Sequence, residues 1–237
     1  MKSKIIALVL LIAFSIGGLN SFAATEKKEN RKVSSFSSLS LSISADVYIK
    51  QGSKTEVIIE GDANTLENIE TVVSQGNLKI KYDSRWSSWS KTKKVKLYVT
   101  SPDWEGVSVS GSGNVVSESA IKGDEFNMAV SGSGNIKIND LSANDLEARI
   151  SGSGNINIAG SKKANSIEIS ISGSGDFDGI GLAIDKVEVR ISGSGGAKVY
   201  AESELNASVS GSGDIYYKGN ALIDARVSGS GKVRNVE

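Results

Sequence analysis

"ISGSGNINIAG", residues 150–160, places two glycines two apart inside a stretch that otherwise reads as a β-strand. Glycine weakens a strand interior, so its repeated use there requires a reason. Parity supplies the first part of one. Ala148, Ile150, Gly152, Gly154, Ile156 and Ile158 fall on one face, while Ser151, Ser153, Asn155 and Asn157 fall on the other. The glycines continue the apolar face and the serines the polar one. The inward side chain at each glycine is a hydrogen atom, as expected where a wall bends sharply or another piece of backbone comes close.

"SGSG" begins at Ser110, Ser131, Ser151, Ser172, Ser192, Ser210 and Ser228, in steps of 21, 20, 21, 20, 18 and 18 residues. The other copies keep the same parity, for example Val187, Val189, Ile191, Gly193, Gly195, Ala197 and Val199 on one face. Fixed period and unbroken parity exclude a flexible Gly/Ser linker and mark a solenoid. The repeat glycines, read as structural, are Gly111, Gly113, Gly132, Gly134, Gly152, Gly154, Gly173, Gly175, Gly193, Gly195, Gly211, Gly213, Gly229 and Gly231. About 20 residues suit one rung of short strands and turns. The pattern therefore predicts an all-β, right-handed parallel β-helix with seven SGSG rungs over 106–237 and an irregular N-terminal β cap over 35–105. Within the cap, 39–50, 55–62 and 77–83 read as strands. Asn64, with Glu67 three residues on, reads as the cap of a short helix reaching Val73.

Lys2 and Lys4 before the apolar run 5–16, with small residues at 21–23, read as a secretory signal peptide over 1–23. Residues 24–34 are charged and aperiodic, and read as a flexible lead-in to a single domain, 35–237. No later apolar run approaches membrane length, so no membrane insertion is expected. The chain has 27 basic and 27 acidic residues, and loss of Lys2 and Lys4 leaves 25 against 27, which gives no nucleic-acid footprint. The absence of cysteine rules out disulfides and lipid attachment through a thioether. The absence of histidine rules out imidazole metal sites and Ser-His-Asp or Cys-His nucleophile systems. No metal or cofactor is expected.

"ADVYIKQGSKTEVIIEGD", "GNLKIKY", "KVKLYVTSPDWEGVSVSGSGNV" and "SGSGDIYYKGNA" occur in order across about 35–235. Together with the recurrent SGSGN/D they resemble the head GIN domain family of auto-transporter adhesins from Gram-negative cell envelopes. The resemblance implies a secreted, β-helix-like fold and carries over no catalytic residue. No translocator barrel of many strands follows the last repeat, so the adhesin name implies a passenger-like shape rather than that secretion route.

The strongest binding candidates lie in "SRWSSW", 84–89. Trp86 and Trp89 in a polar loop suit stacking on sugar rings or an interface, and Lys91 and Lys93 suit an acidic glycan. The competing reading is that the rings fold back over the cap. The residues after each motif, Asn114, Asn135, Asn155, Asp176, Gly196, Asp214 and Lys232, read as a solvated polar ladder rather than a Ca²⁺ stripe, because the carboxylates are interrupted by Gly196. Glu168 and Glu188 occupy comparable positions in successive repeats and are the best pair for glycoside hydrolysis. Arg149, placed at the same position one repeat earlier, favours a surface charge ladder instead. The expected function is an exported, non-enzymatic binding or surface-structural module of the bacterial envelope, periplasmic or on the cell surface. Its expected partner is a glycan or an envelope or surface protein. The alternative is a β-helix polysaccharide-degrading enzyme. Exposed strand edges also allow end-to-end self-association.

Overall fold

The computed structural model describes residues 26–84 and 93–237. The expected signal peptide, 1–23, lies outside the described residues. The chain winds as a β-solenoid whose parallel ladders run the length of the repeat region. One wall precedes each motif. Gly106–Val109, Glu125–Val130, Asp145–Ile150 and Ala164–Gly173 pair in parallel, in that order, and the wall continues to Leu222–Gly229. A second wall follows each motif, from Asn114–Ser117 through Asn135–Ile138 and Ile156–Ala159 to Lys232–Asn235. A short third wall is marked by Ile121–Lys122 beside Leu141–Ser142.

Period-two alternation fixes which side chains point inward. Val109, Val130, Ile150, Ile171, Ile191 and Val209 stack in register, each at most 2% exposed. Branched side chains suit this pleated, half-buried surface, and each contributes about 2 kcal/mol by leaving water. Phe126, Phe177 and Trp104 fill the interior between walls. Trp104 donates its indole N–H to Lys50 O at 3.1 Å and meets Phe36 edge to face.

The corners explain the glycines. Ser153 N and Gly154 N both donate to Gly132 O, at 3.1 and 3.0 Å, and Ser174 N and Gly175 N both donate to Gly152 O, at 2.9 and 3.0 Å. The same paired bonds recur at 133–134, 194–195, 212–213 and 230–231. Each first-glycine carbonyl thus points along the stack at the corner above it. A Cβ on Gly132, Gly152, Gly173, Gly193 or Gly211 would sit inside that oxygen. At the second position a Cβ on Gly154 would collide with Gly134 O and lie 2.6 Å from Val130 Cγ1. The close approach comes from the neighbouring rung, not from an opposite wall. In later copies the first glycine also adopts φ between +129° and +144°, a region closed to most L-residues.

One corner has no glycine. Ser110 N donates to Leu41 O and Asn114 N to Ala45 O, which places Ser42-Ile43-Ser44-Ala45 beneath the first SGSG as its register equivalent. Ile43 and Ala45 are buried. On the far side of this rung the closing bonds are Ser42 N to Ile80 O and Asp46 N to Val95 O. The chain takes residues 81–94 to pass between those two positions, where the SISA corner uses 42–44.

The cap departs from a simple run of first turns. Ser38–Leu41 lies between Asn77–Tyr82 and Gly106–Val109, and Asp46–Gln51 lies between Lys96–Ser101 and Asn114–Ser117. The chain lays down one rung, moves outward to build the end rung, and returns to the other face of the first. Antiparallel strands then close the end. Ile69–Ser74 pairs with Asn77–Tyr82 through a two-residue turn, with Gln75 and Gly76 both at positive φ. Glu56–Asp62 pairs with Lys96–Ser101. Two sequence expectations are corrected here. The lead-in is not flexible throughout, because Glu26–Arg31 pairs antiparallel with Glu56–Asp62, its charges held in pairs such as Lys28–Glu60 and Arg31–Glu29. The helix is a single turn, Ala63–Leu66, capped by Asp62 accepting from Thr65 N at 3.4 Å, and Ile69–Ser74 is strand because Ile69 is drawn into the core. Among the described residues no helix is long and apolar enough to cross a membrane.

Candidate functional site

Trp86, Trp89 and Lys91 lie outside the described residues. Lys93 is described and is engaged: its ammonium meets Asp62 Oδ2 at 2.9 Å, which holds the Asp62 carboxyl below the usual carboxylate range. That pair ties the segment entering Lys96–Ser101 to the cap of the helical turn. Lys93 and Lys94 border a recess with Ser44, Asp46, Ser112 and Asn114.

The outer face of the second wall holds the polar ladder. Asn114 donates to Asp46 Oδ1 at 3.0 Å, Asn135 to Asn114 Oδ1 at 2.9 Å, and Asn155 to Asn135 Oδ1 at 3.1 Å. Asp176 N donates to Asn155 Oδ1, and Gly196 N to Asp176 Oδ1 at 2.7 Å. Each rung's side-chain oxygen is therefore used by the rung above, until Gly196. With no side chain there, the ladder stops and a notch opens between Asp176 and Asp214, one rung to either side.

The notch widens into a groove of about 500 Å³, bordered by Asn155, Asn157, Asp176, Asp178, Ser194, Lys198, Ser212, Asp214 and Tyr216. Strand register sets the second column of these residues: Asn157, Asp178, Lys198 and Tyr216 are successive neighbours. Tyr216 is partly exposed and donates to Asp214 Oδ2 at 3.3 Å, and Lys198 lies 4.0 Å from Asp178. Acceptor oxygens, one ammonium and one aromatic face border a shallow trough. Such a surface can receive hydroxyl or amine donors, and a flat apolar ring face can lie on the tyrosine. Sequence reading met Gly196 only as a break in a charge series and did not single out Asn157, Asp178, Lys198 or Tyr216. The signal was available, since these four stand six residues after the start of successive motifs.

The outer face of the first wall aligns Glu147, Glu168 and Glu188, not Arg149, in one column. This corrects the register assumed for Arg149, which stands opposite Ser170 and, one rung further, Arg190. Arg190 binds both Glu168, at 2.6 Å, and Glu188. The three side chains are about half exposed, and the two carboxylates share one guanidinium; Glu188 and Arg190 border a recess with Asn206, Asp224 and Arg226. Among the described residues no group of three or more acidic side chains is placed to hold a metal ion.

Stacked rungs, laterally exposed polar columns and an interior filled by side chains define a β-solenoid whose usable surfaces are its outer walls. The chain belongs to the family described as "Putative auto-transporter adhesin, head GIN domain", whose model matches residues 35–221. It is similar to the crystal structure of a "putative adhesin" from Bacteroides fragilis, at 25% identity and a TM-score of 0.82, covering 90% of this chain and 97% of that one. A "putative adhesin" from Parabacteroides merdae shares the fold at 24% identity and a TM-score of 0.70, over 91% and 98% of the two chains. A "putative lipid binding protein" from Parabacteroides distasonis does so at 23% and 0.73, over 91% and 98%. No curated protein matches the chain.

Proposed function

We propose that the protein is an exported, non-enzymatic adhesin-like module of the cell envelope, and that it recognises a glycan with the groove over Gly196. The observation that carries this reading is the interruption of an otherwise continuous hydrogen-bonded ladder. From Asp46 to Asp176 the side-chain oxygens of this column are used within the protein, and at Gly196 the missing side chain leaves a concave, ligand-sized opening. Carboxylate and amide oxygens at Asn157, Asp178 and Asp214 suit paired sugar hydroxyls, and Tyr216 offers a stacking face. Membership of the family described as "Putative auto-transporter adhesin, head GIN domain" and likeness to the solved "putative adhesin" of Bacteroides fragilis support a surface role. The polysaccharide-degrading alternative loses its best acid pair, because the Arg190 guanidinium holds both Glu168 and Glu188 as ion-paired carboxylates.

Calorimetric titration with a panel of soluble envelope and host polysaccharides tests the reading, repeated on Tyr216→Ala and Gly196→Asn. The second variant extends the ladder into the notch. Saturable binding that falls at least tenfold in both folded variants is expected. Absence of binding to every polysaccharide, or binding indifferent to both changes, contradicts it.

A further inference from the structure

The last rung differs from those below it. Leu222, Ile223 and Val227 are 81%, 43% and 43% exposed, whereas Leu205 and Val209, the register partners of Ile223 and Val227, are at most 1%. Leu222–Gly229 pairs on one side with the strand that ends at Gly211, and among the described residues no strand lies on its other side. An apolar, unpaired edge of this kind is a template for another strand.

Backbone alternation fixes which groups that edge offers. Ser131 N bonds back to Val109 O and Ser151 N back to Val130 O. The row containing Val109 and Val130 therefore directs its carbonyls, and with them its N–H groups, toward the next rung. Val227 belongs to that row through Ile191 and Val209. Ile223 and Ala225 share its parity. These three residues present free N–H and C=O groups at the edge.

We propose that this edge pairs antiparallel with the same edge of a second copy, tail to tail, about a twofold axis at Ala225. Ala225 then faces its own copy and Ile223 faces Val227, all as hydrogen-bonded pairs. Asp224 faces Arg226 twice, in the non-hydrogen-bonded positions where opposed side chains come closest, about 4.5–5.5 Å between Cβ atoms. The two neighbouring registers that keep the same hydrogen-bonding parity set Asp224 against Asp224, or Arg226 against Arg226. Charge thus selects the Ala225-centred register, and the sequence "IDARV" is self-complementary in it. The opposite end of the solenoid is a poor partner for this edge. Antiparallel strands close it, and its outermost strand, "EKKENR", carries paired charges along its length.

Sedimentation equilibrium of the purified protein tests the proposal, with circular dichroism to show that each variant is folded. The wild type is expected to form a dimer and nothing larger. Asp224→Arg and Arg226→Asp are each expected to weaken it by about tenfold, since two opposed pairs become like-charged. The double variant regains the wild-type dimer, and an equimolar mixture of the two single variants forms a heterodimer tighter than either homodimer. A monomer at all concentrations, growth beyond the dimer, or a folded double variant no tighter than the singles would overturn the proposal.

Discussion

The repeat column and the N-terminal cap build the same solenoid wall by opposite means. From the second SGSG onward each corner is packed by backbone alone, with one glycine carbonyl of the preceding rung receiving two N–H groups and filling the space a side chain would need. At 42–45 the corner is made of side chains, and Ile43 fills the space itself. The difference lies in the neighbouring rung. Where a tight corner lies beneath, as under Gly152 and Gly154, glycine is required; at the SISA corner, whose flanking bonds run to Ile80 and Val95 rather than to an SGSG segment, the inward residue is a buried isoleucine. Glycine in this fold therefore reports on the rung before it, not on flexibility at its own position.

The contrast should break first between the tightest and the loosest of the repeat glycines. Gly154→Ala forces a methyl into Gly134 O and against Val130 Cγ1, and is expected to cost about 3 kcal/mol or more. Gly111→Ala, above the SISA corner, has its nearest neighbours at 3.6 Å and is expected to stay within about 0.5 kcal/mol of the wild type. Urea midpoints of the two variants compare them directly. Next in size is Ile43→Gly, which makes the first corner resemble the others. It is expected to destabilise by about 3 kcal/mol, because it removes a fully buried branched side chain from the core. Equal stability would show that the corners are interchangeable.

A smaller effect is expected on the outer face. Asn135→Ala removes both the donor to Asn114 and the acceptor for Asn155 and should cost about 1–2 kcal/mol in the same assay. The smallest belongs to the cap. Lys93 lowers the Asp62 carboxyl pKa below its unfolded value, so the pair's contribution is present above that value and is lost as pH falls through the lower, folded one. Melting curves between about pH 5 and 2 should show a steeper loss for the wild type than for Lys93→Gln. Parallel curves would show that the ion pair adds nothing to the cap.

Parity around residue 150 was enough to give the solenoid, its inward row and the outward ladder, because alternation is a local property. The order of rungs was not legible. Placing 77–82 outside 38–41 depends on which distant strands pair, and both segments alternate equally well. The strand Glu26–Arg31 was hidden by its composition, since charges that blunt an edge read as solvated chain. The SISA corner shares the parity of SGSG but not its letters, so a search for the motif passes over it. The groove fell between the two kinds of signal: Gly196 was visible as a gap, and its meaning came only from the hydrogen bonds that lead up to it.

Hydrogen exchange at the amides of Gly134, Gly154, Gly175, Gly195 and Gly213 tests most directly whether the SGSG segments are stacked corners. Each donates to a glycine carbonyl of the preceding rung. Protection comparable to that of the flanking strands, such as at Ile150 and Ile171, is expected at all five. Exchange at the rate of exposed chain would mean that the glycines are hinges between strands, and the carbonyl-filled corner would be wrong.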